Sequence, residues 1–329
     1  MRYIALMLKM LRYRVALTTF VPFFLIGIAL HSGMLAFSWS YVWGLLTIGM
    51  SHIVATSMND IADYEIDAIN LRAAKGRPLV TGEATKKHLY AVIVAATIGM
   101  LFFAALIGKI AVLIAIISVV IDYLYSMPPI QLSHRAHFAP IALSLLYVCL
   151  PYALGIATVT TSYSAHDWLL MLAFFVLFCG RILLKDFRDR KGDAAFGKLT
   201  FLLRHGKDAT CAMSAFCIAL GNMILFYAIV PMFGILAVMM LEFYFVTIFY
   251  MLYRLWKVVG HDPEQAAIGV GAKMANGLII TLLGLVILQE YDVSASVYIF
   301  FTFVFVFLYL SLFTYLVAEP NRTVIGYRG

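Results

Sequence analysis

Two short acidic stretches hold the residues of this chain best suited to chemistry. The first, Asn59–Asp67, reads NDIADYEID and sets Asp60, Asp63 and Asp67 at i, i+3 and i+7 behind Asn59. The second, KDFRDRKGD, repeats that spacing with Asp186, Asp189 and Asp193. On a helix, residues three, four and seven apart share one face. Like charges stacked so closely repel one another unless a cation sits among them. With Glu65, these stretches hold seven of the 17 acidic residues, and no Lys or Arg lies between Asn59 and Ile69. A single exposed acidic triplet is ordinarily a solvated helix end. The same spacing in both halves of the chain favours a shared metal site instead.

Oxygen ligands without His or Cys suit Mg²⁺, which keeps several waters and prefers one or two carboxylates together with substrate phosphates. The i, i+4 pairs Asn59/Asp63 and Asp189/Asp193 are each placed to hold one ion, so two ions can grip one diphosphate from both sides. Asp60, Asp63, Asp189 and Asp193 form the expected catalytic set. Asp67, Asp186, Arg72, Arg77, Lys185 and Arg188 are expected substrate contacts, the Arg forks suiting phosphate oxygens. A diphosphate neutralised in this way becomes a good leaving group. In a membrane, the natural diphosphate ester with a long apolar tail is a polyprenyl diphosphate. Loss of diphosphate from an allylic carbon leaves a carbocation that aromatic rings can stabilise. Tyr125 is the expected site tyrosine. For Asp122, one turn earlier, an interior salt bridge and a substrate contact are both open readings. Glu242, within a later apolar segment, has no evident link to either cluster.

The elements that position these residues follow from hydropathy. Of 329 residues, 64% are hydrophobic and 12% charged, and the mean hydropathy is +0.95. A soluble domain cannot bury that much apolar surface, so the chain reads as a polytopic membrane protein. Ten segments approach the length of a transmembrane helix: Val15–Leu30, Tyr41–Met58, Leu89–Ile107, Ala111–Tyr125, Phe138–Val159, Trp168–Leu184, Thr210–Val230, Phe233–Tyr253, Met274–Gln289 and Ser296–Val317. They make one integral-membrane domain over 1–329, with one acidic box in each half (about 1–160 and 161–329). Pro128-Pro129 stops the fourth segment, and Gly197–Gly206 is a candidate short helix capping the site. The four cysteines lie in apolar runs without metal-ligand spacing and read as buried thiols. The basic N-terminus before an apolar stretch mimics a signal peptide but reads as a retained first helix.

Charge then sets the orientation. The 24 Lys and Arg residues avoid alternate loops, Lys109 excepted, and gather in the N-terminal tail, the other loops or adjoining helix ends, and the C-terminal tail with Arg322 and Arg328. By the positive-inside rule both termini and both acidic boxes face the cytoplasm, in the plasma or inner membrane. The net charge of +7 is therefore an orientation signal and not a nucleic-acid surface. Arg12 and Arg14, at the start of the first helix, read first as interface anchors and second as contacts for an acceptor carboxylate or phosphate.

Together, NDIADYEID, RPLVTG (Arg77–Gly82), YSMPP (Tyr125–Pro129) and KDFRDRKGD with its trailing GK-T and RHG resemble the UbiA superfamily of intramembrane prenyltransferases. The resemblance covers roughly the first two thirds of the chain. It implies an all-α bundle of nine helices, against the ten counted here, around a central cavity, with the two boxes facing each other under a cytoplasmic cap. It also implies Mg²⁺-dependent ionisation of a prenyl diphosphate and transfer of the prenyl group to a lipophilic acceptor, commonly an aromatic ring of the quinone-precursor kind. Asn59, Asp60, Asp63 and Asp67 fall on the family's first box; Asp186, Asp189 and Asp193 fall on its second, with Lys185 ahead of it. After Pro-Pro the family pattern has a basic residue, whereas this chain reads Ile130-Gln131-Leu132-Ser133.

Other readings remain at this level. A terpene cyclase, or a transferase to a sugar or glycerol-phosphate acceptor, keeps the fold and changes the reaction. A cation transporter predicts carboxylates near the bilayer midplane, but these boxes sit at helix ends. A CDP-alcohol-type phosphatidyltransferase needs an Asp-Gly pair, which the chain lacks.

Overall fold

All ten predicted apolar segments are helical in the computed structural model, which describes residues 2–32, 37–70, 76–290 and 293–318. Arg72, Lys75, Arg322 and Arg328 lie outside the described residues. Among the described residues there is no strand, only an isolated bridge between Arg135 and Leu199. Among the described residues, seven helices are long and apolar enough to cross a membrane, and eight if the bent first pair is one span. The difference from ten has two sources. The helix Trp39–Ala62 is polar along one side, where Thr47, Ser51, His52, Thr56 and Asn59 line the interior cavity. The last helix, Ala295–Ala318, is apolar along its 24 residues but enters this count only over Ala295–Ser311.

The first span is not a simple rod. Helix α1 (Arg2–Met10) gives way to α2 (Tyr13–Thr18) through Arg12, which has a left-handed backbone (φ 43°), and α3 (Phe20–Ala29) continues at a bend of 58°. A non-glycine residue at positive φ is uncommon and is kept only where surrounding contacts hold it. The contacts of Arg12 are those of the site.

Helix α4 (Trp39–Ala62) carries the first box to its C-terminus and α5 (Tyr64–Asn70) follows at once. Helices α6 (Lys86–Ile107) and α7 (Lys109–Ser126) form a hairpin turned by Gly108. Next come α8 (Phe138–Ser144) and α9 (Leu150–Ala157), joined by a π-helical turn, Leu145–Cys149. In the second half, α10 (Ala165–Leu183) leads into the second box on α11 (Asp186–Ala195). Helix α12 (Phe201–Lys257) is broken at Gly206 (φ 79°) and Gly234 (φ 72°). The expected capping helix is thus the first turn of α12, set off by Gly206. The seventh and eighth predicted segments separate at Gly234. Helix α13 (His261–Glu290) begins well before the predicted Met274, so Lys273 lies within a helix and not at its end. Helix α14 (Ala295–Ala318) closes the described chain.

Within the first half, α3 and α9 cross where glycines let two backbones touch. A Cβ on Gly155 would lie 2.1 Å from the Phe24 carbonyl oxygen, and one on Gly27 would lie 2.4 Å from that of Tyr152. Small residues at helix crossings serve this purpose in membranes, where lipid supplies little drive to bury apolar side chains. Phe23, Ile26, Tyr152 and Phe174 pack into the main apolar core beside this crossing. Glu242 hydrogen-bonds with Asn222 at 3.1 Å, a tie between the two spans of α12. All four cysteines are free thiols.

Candidate active site

A cavity of ≈ 680 Å³ lies inside the bundle, closed at one end by the two acidic boxes and walled beyond them mostly by apolar and aromatic side chains. Of the residues singled out in the sequence, Asn59, Asp63, Asp67, Arg77, Tyr125, Lys185, Arg188, Asp189 and Asp193 line it. Asp186 lies in a small adjoining recess and accepts from the Leu202 backbone N–H.

The first box does not run along one helical face as its spacing predicts. Helix α4 ends at Ala62, Asp63 is its C-cap, and α5 starts at Tyr64. This break divides the carboxylates between two tasks. Asp60, 2% exposed and off the cavity wall, accepts from Arg12 at 2.6 and 2.8 Å and is also paired with Arg77. Arg77 reaches on to Asp67 at 2.8 Å. Asp60 therefore holds two guanidinium groups at the cavity mouth. Asp63 faces the other box.

The boxes converge on one ammonium group. Lys198 donates to Asp63 Oδ2 at 2.9 Å and stands 3.8 Å from Asp193 Oδ1, so one cation spans both halves of the chain. His134 Nε2 lies 4.0 Å from Asp63 Oδ1. In the second box, Arg188 grips Asp189 with two hydrogen bonds of 2.7 and 2.9 Å. Lys185 donates to the Tyr125 hydroxyl at 3.0 Å and lies 5.7 Å from the centre of that ring. Glu264, 3% exposed on α13, accepts from Lys207 at 2.9 Å and Arg190 at 3.3 Å, fixing α11 against the C-terminal helices.

Electrostatics follow from burying like charges together. Burial pushes Asp193 up to about 7, with Asp189 and Asp186 adding to it and Lys198 opposing. Burial likewise pushes Asp67 and Asp186 up to about 6, against Arg77 and Lys185 respectively. Burial also disfavours the Asp189 carboxylate, but Arg188 outweighs it and holds the group below the usual range. The Lys198 ammonium is raised despite its burial, chiefly by Asp63. A site of this kind favours added positive charge.

Among the described residues, no three His, Cys, Asp or Glu side chains form a ready-made metal cage. The donor set nonetheless fits a hard cation. Asp63 Oδ1 and Asp193 Oδ1 are buried oxygens without a hydrogen-bond partner among the described residues, and the Lys198 ammonium shows that a cation is accommodated between them. An incomplete cage suits Mg²⁺, which completes its octahedron with water and phosphate oxygens.

Three contributors were not among the expected site residues. Arg12 looked like an interface anchor, yet its left-handed backbone turns it onto Asp60. Lys198 appeared only as part of a trailing GK-T. His134 follows the Pro-Pro turn in a 3₁₀ turn, Leu132–His134. The expected basic residue after Pro-Pro is absent, and the Arg135 guanidinium bonds the Ile130 carbonyl oxygen.

Comparison with known proteins adds the following. The profile of the UbiA prenyltransferase family matches residues 20–277. Among solved structures, a digeranylgeranylglyceryl phosphate synthase aligns with a TM-score of 0.65 at 20% identity, over 89% of this chain and 100% of that one. A UbiA homologue from Archaeoglobus fulgidus bound to GPP and Mg²⁺ aligns with a TM-score of 0.63 at 18% identity, over 87% and 99%. The apo UbiA homologue from Aeropyrum pernix K1 aligns with a TM-score of 0.66 at 20% identity, over 84% and 98%. At such identities these likenesses establish the fold. No curated protein sequence matches this one.

Proposed function

The chain belongs to the UbiA prenyltransferase family, and from that premise we propose that it binds an allylic prenyl diphosphate between its two acidic boxes with Mg²⁺ and transfers the prenyl group to an aromatic acceptor. It is an integral multi-pass membrane protein, and the proposed site is at the cytoplasmic end of the bundle. The gathering of Lys and Arg at that end supports this orientation. One observation carries the reading: Asp63 of the first box and Asp193 of the second reach the same Lys198 ammonium, so carboxylates 130 positions apart face one small volume.

Asn59 and Asp63 on one side, and Asp189 and Asp193 on the other, would hold Mg²⁺, one ion to each box. The metal, when bound, supplies positive charge against the charge that develops on the departing diphosphate. This chain's own residues do the rest. Arg77, positioned by Asp60 and Asp67, and Lys185, positioned by Tyr125, present donors to the phosphate oxygens. Arg12, held by Asp60, adds a further cation at the mouth. As the bond between C1 and the bridging oxygen breaks, its electron pair leaves with the diphosphate. The allylic cation then faces an apolar wall that includes Tyr147, Phe174 and Phe178. A ring carbon of the acceptor forms the new C–C bond, and the proton on that carbon passes to the released diphosphate as the ring regains aromaticity. The short helices α5 and α11 cover the reacting end and limit water, which would otherwise capture the cation.

The test is diphosphate release. Purified protein in nanodiscs, given labelled geranyl diphosphate, Mg²⁺ and a panel of aromatic acceptors, should release diphosphate and yield a prenylated ring. Full activity in excess chelator overturns the proposal. Diphosphate release accompanied by a cyclised hydrocarbon, with no prenylated acceptor, would convert it to a cyclase.

A further inference from the structure

Two buried polar atoms in the cavity wall are left unused by the diphosphate chemistry. On α7, Asp122 is 2% exposed and lines the cavity, and its Oδ2 has no hydrogen-bond partner among the described residues. On α4, His52 is 4% exposed and lines the same cavity, and its Nε2 is equally without a partner there. The neighbouring hydroxyls are already engaged, since Ser51 and Ser118 close on each other at 2.7 Å. That pair also locates the two unpartnered groups. His52 follows Ser51 directly and Asp122 lies one turn beyond Ser118, so the two flank a single contact between α4 and α7.

Rings complete the enclosure. The His52 imidazole is 4.7 Å from the Phe20 ring and 5.8 Å from the Tyr147 ring. Tyr147 is presented by the π-helical turn Leu145–Cys149 and lies within electrostatic reach of Asp122, Tyr125, Arg12 and Lys185. π-Turns inside helices are frequent at functional sites. Depth points the same way. Asp122 stands one turn from Tyr125, about 4.5 Å along the helix axis, and the Tyr125 hydroxyl holds Lys185 of the second box. With diphosphate at the boxes, the first carbons of a prenyl chain would pass beside Asp122.

An unpartnered buried carboxyl is costly, and an acid within a membrane helix marks a functional position by default. We propose that Asp122 and His52 form the subsite for the acceptor's head, and that this head is an aromatic ring bearing a hydroxyl whose O–H donates to Asp122. This rests on the transferase reading. The chemistry selects a hydroxyl because Asp122 offers an acceptor oxygen: an ether leaves that oxygen unpaired, and a carboxylate in the same place sets two acids together. Phe20, His52 and Tyr147 pack on one another and give this part of the cavity wall an aromatic face against which a ring can lie. Asp122 and His52 are thus specificity-determining residues.

The experiment uses 1-naphthol and 1-methoxynaphthalene, which differ only in the donor. Binding to the full protein in nanodiscs is measured with Mg²⁺ and non-reactive geranyl thiolodiphosphate present. The wild type should bind the naphthol about tenfold or more tightly than its methyl ether, the scale of one unmet buried hydrogen bond. Asp122→Leu should erase that preference, leave the thiolodiphosphate affinity unchanged, and melt no lower than wild type because it removes an unpartnered carboxyl. His52→Phe, which keeps the ring packing, is the second variant and should weaken naphthol binding alone. The proposal is overturned if wild type binds both probes alike or neither, or if both variants retain the wild-type preference. Should wild type release no diphosphate from geranyl diphosphate while the naphthol measurements come out as expected, the transferase reading falls and the subsite stands.

Discussion

Lys198 donates to Asp63 at 2.9 Å across the seam between the two acidic boxes. Burial disfavours the ammonium, but Asp63 above all raises it above its ordinary range, so Lys198 is charged at neutral pH. In the metal-free protein Lys198 supplies the positive charge that the clustered carboxylates need. Replacing it with Gln should lower the melting temperature in chelator, where nothing substitutes for it, and lower it less in millimolar Mg²⁺. Equal losses in both conditions would mean that lysine and metal do not share these carboxylates. Melting curves in nanodiscs with EDTA or Mg²⁺ make the comparison.

Asp60 and Asp63, three residues apart, should fail differently. Asp63→Asn removes a proposed metal ligand and should abolish diphosphate release; it also removes the buried partner of Lys198, so it should melt lower in chelator. Asp60→Asn leaves Arg12 and Arg77 without their shared buried carboxylate, a loss of about 3 kcal/mol by analogy with broken buried ion pairs. It should lower the melting temperature and raise KM for the prenyl diphosphate. A parallel assay of turnover and melting separates the two, and identical behaviour would remove the division of labour.

The acidic cluster makes stability fall as pH rises. Asp67 and Asp186 sit at about 6 and Asp193 at about 7 when folded, above the ordinary aspartate value of 3.8. Between the unfolded and folded values the native state binds more protons, so ∂ΔG/∂pH for unfolding is negative there. The stability these groups contribute is complete below about pH 4 and is lost as pH climbs through about 7. Asp189 has the opposite sign, but its loss comes only as pH falls below the ordinary range. Metal-free protein should therefore melt lower at pH 7.5 than at pH 5.5, and Mg²⁺ should raise the melting temperature more at 7.5. Scanning calorimetry at the two pH values, with and without Mg²⁺, reads both effects.

Gly155 tests the crossing of α3 and α9. A methyl there meets the Phe24 carbonyl oxygen at 2.1 Å, backbone that cannot swing aside. Gly155→Ala should destabilise the protein by about 1–3 kcal/mol, as overpacking does. Because α3 and α9 help to wall the cavity, affinity for geranyl thiolodiphosphate should fall as well. Gly82→Ala meets no neighbour within 4 Å, so it carries only the penalty of a positive φ (75°) and serves as a control that leaves that affinity intact.

The sequence by itself determined the helices and the two boxes. Hydropathy is summed along the chain and the i, i+3, i+7 spacing is local, so both can be read without a fold. It also named Tyr125, Lys185 and Arg77, which the fold brings to the wall of one cavity. What it could not determine was the partner of each charge. Lys198 lies 135 positions from Asp63, and Arg12 lies 48 from Asp60. Such pairings arise when helices cross, and no periodicity encodes them. The break at Asp63 sends neighbouring acids in different directions, although an unbroken helix would have aligned them. Asp122 is the sharpest case: the sequence left a salt bridge and a substrate contact equally open. The tertiary structure leaves its Oδ2 without a hydrogen-bond partner among the described residues, which is the observation the proposed acceptor contact starts from.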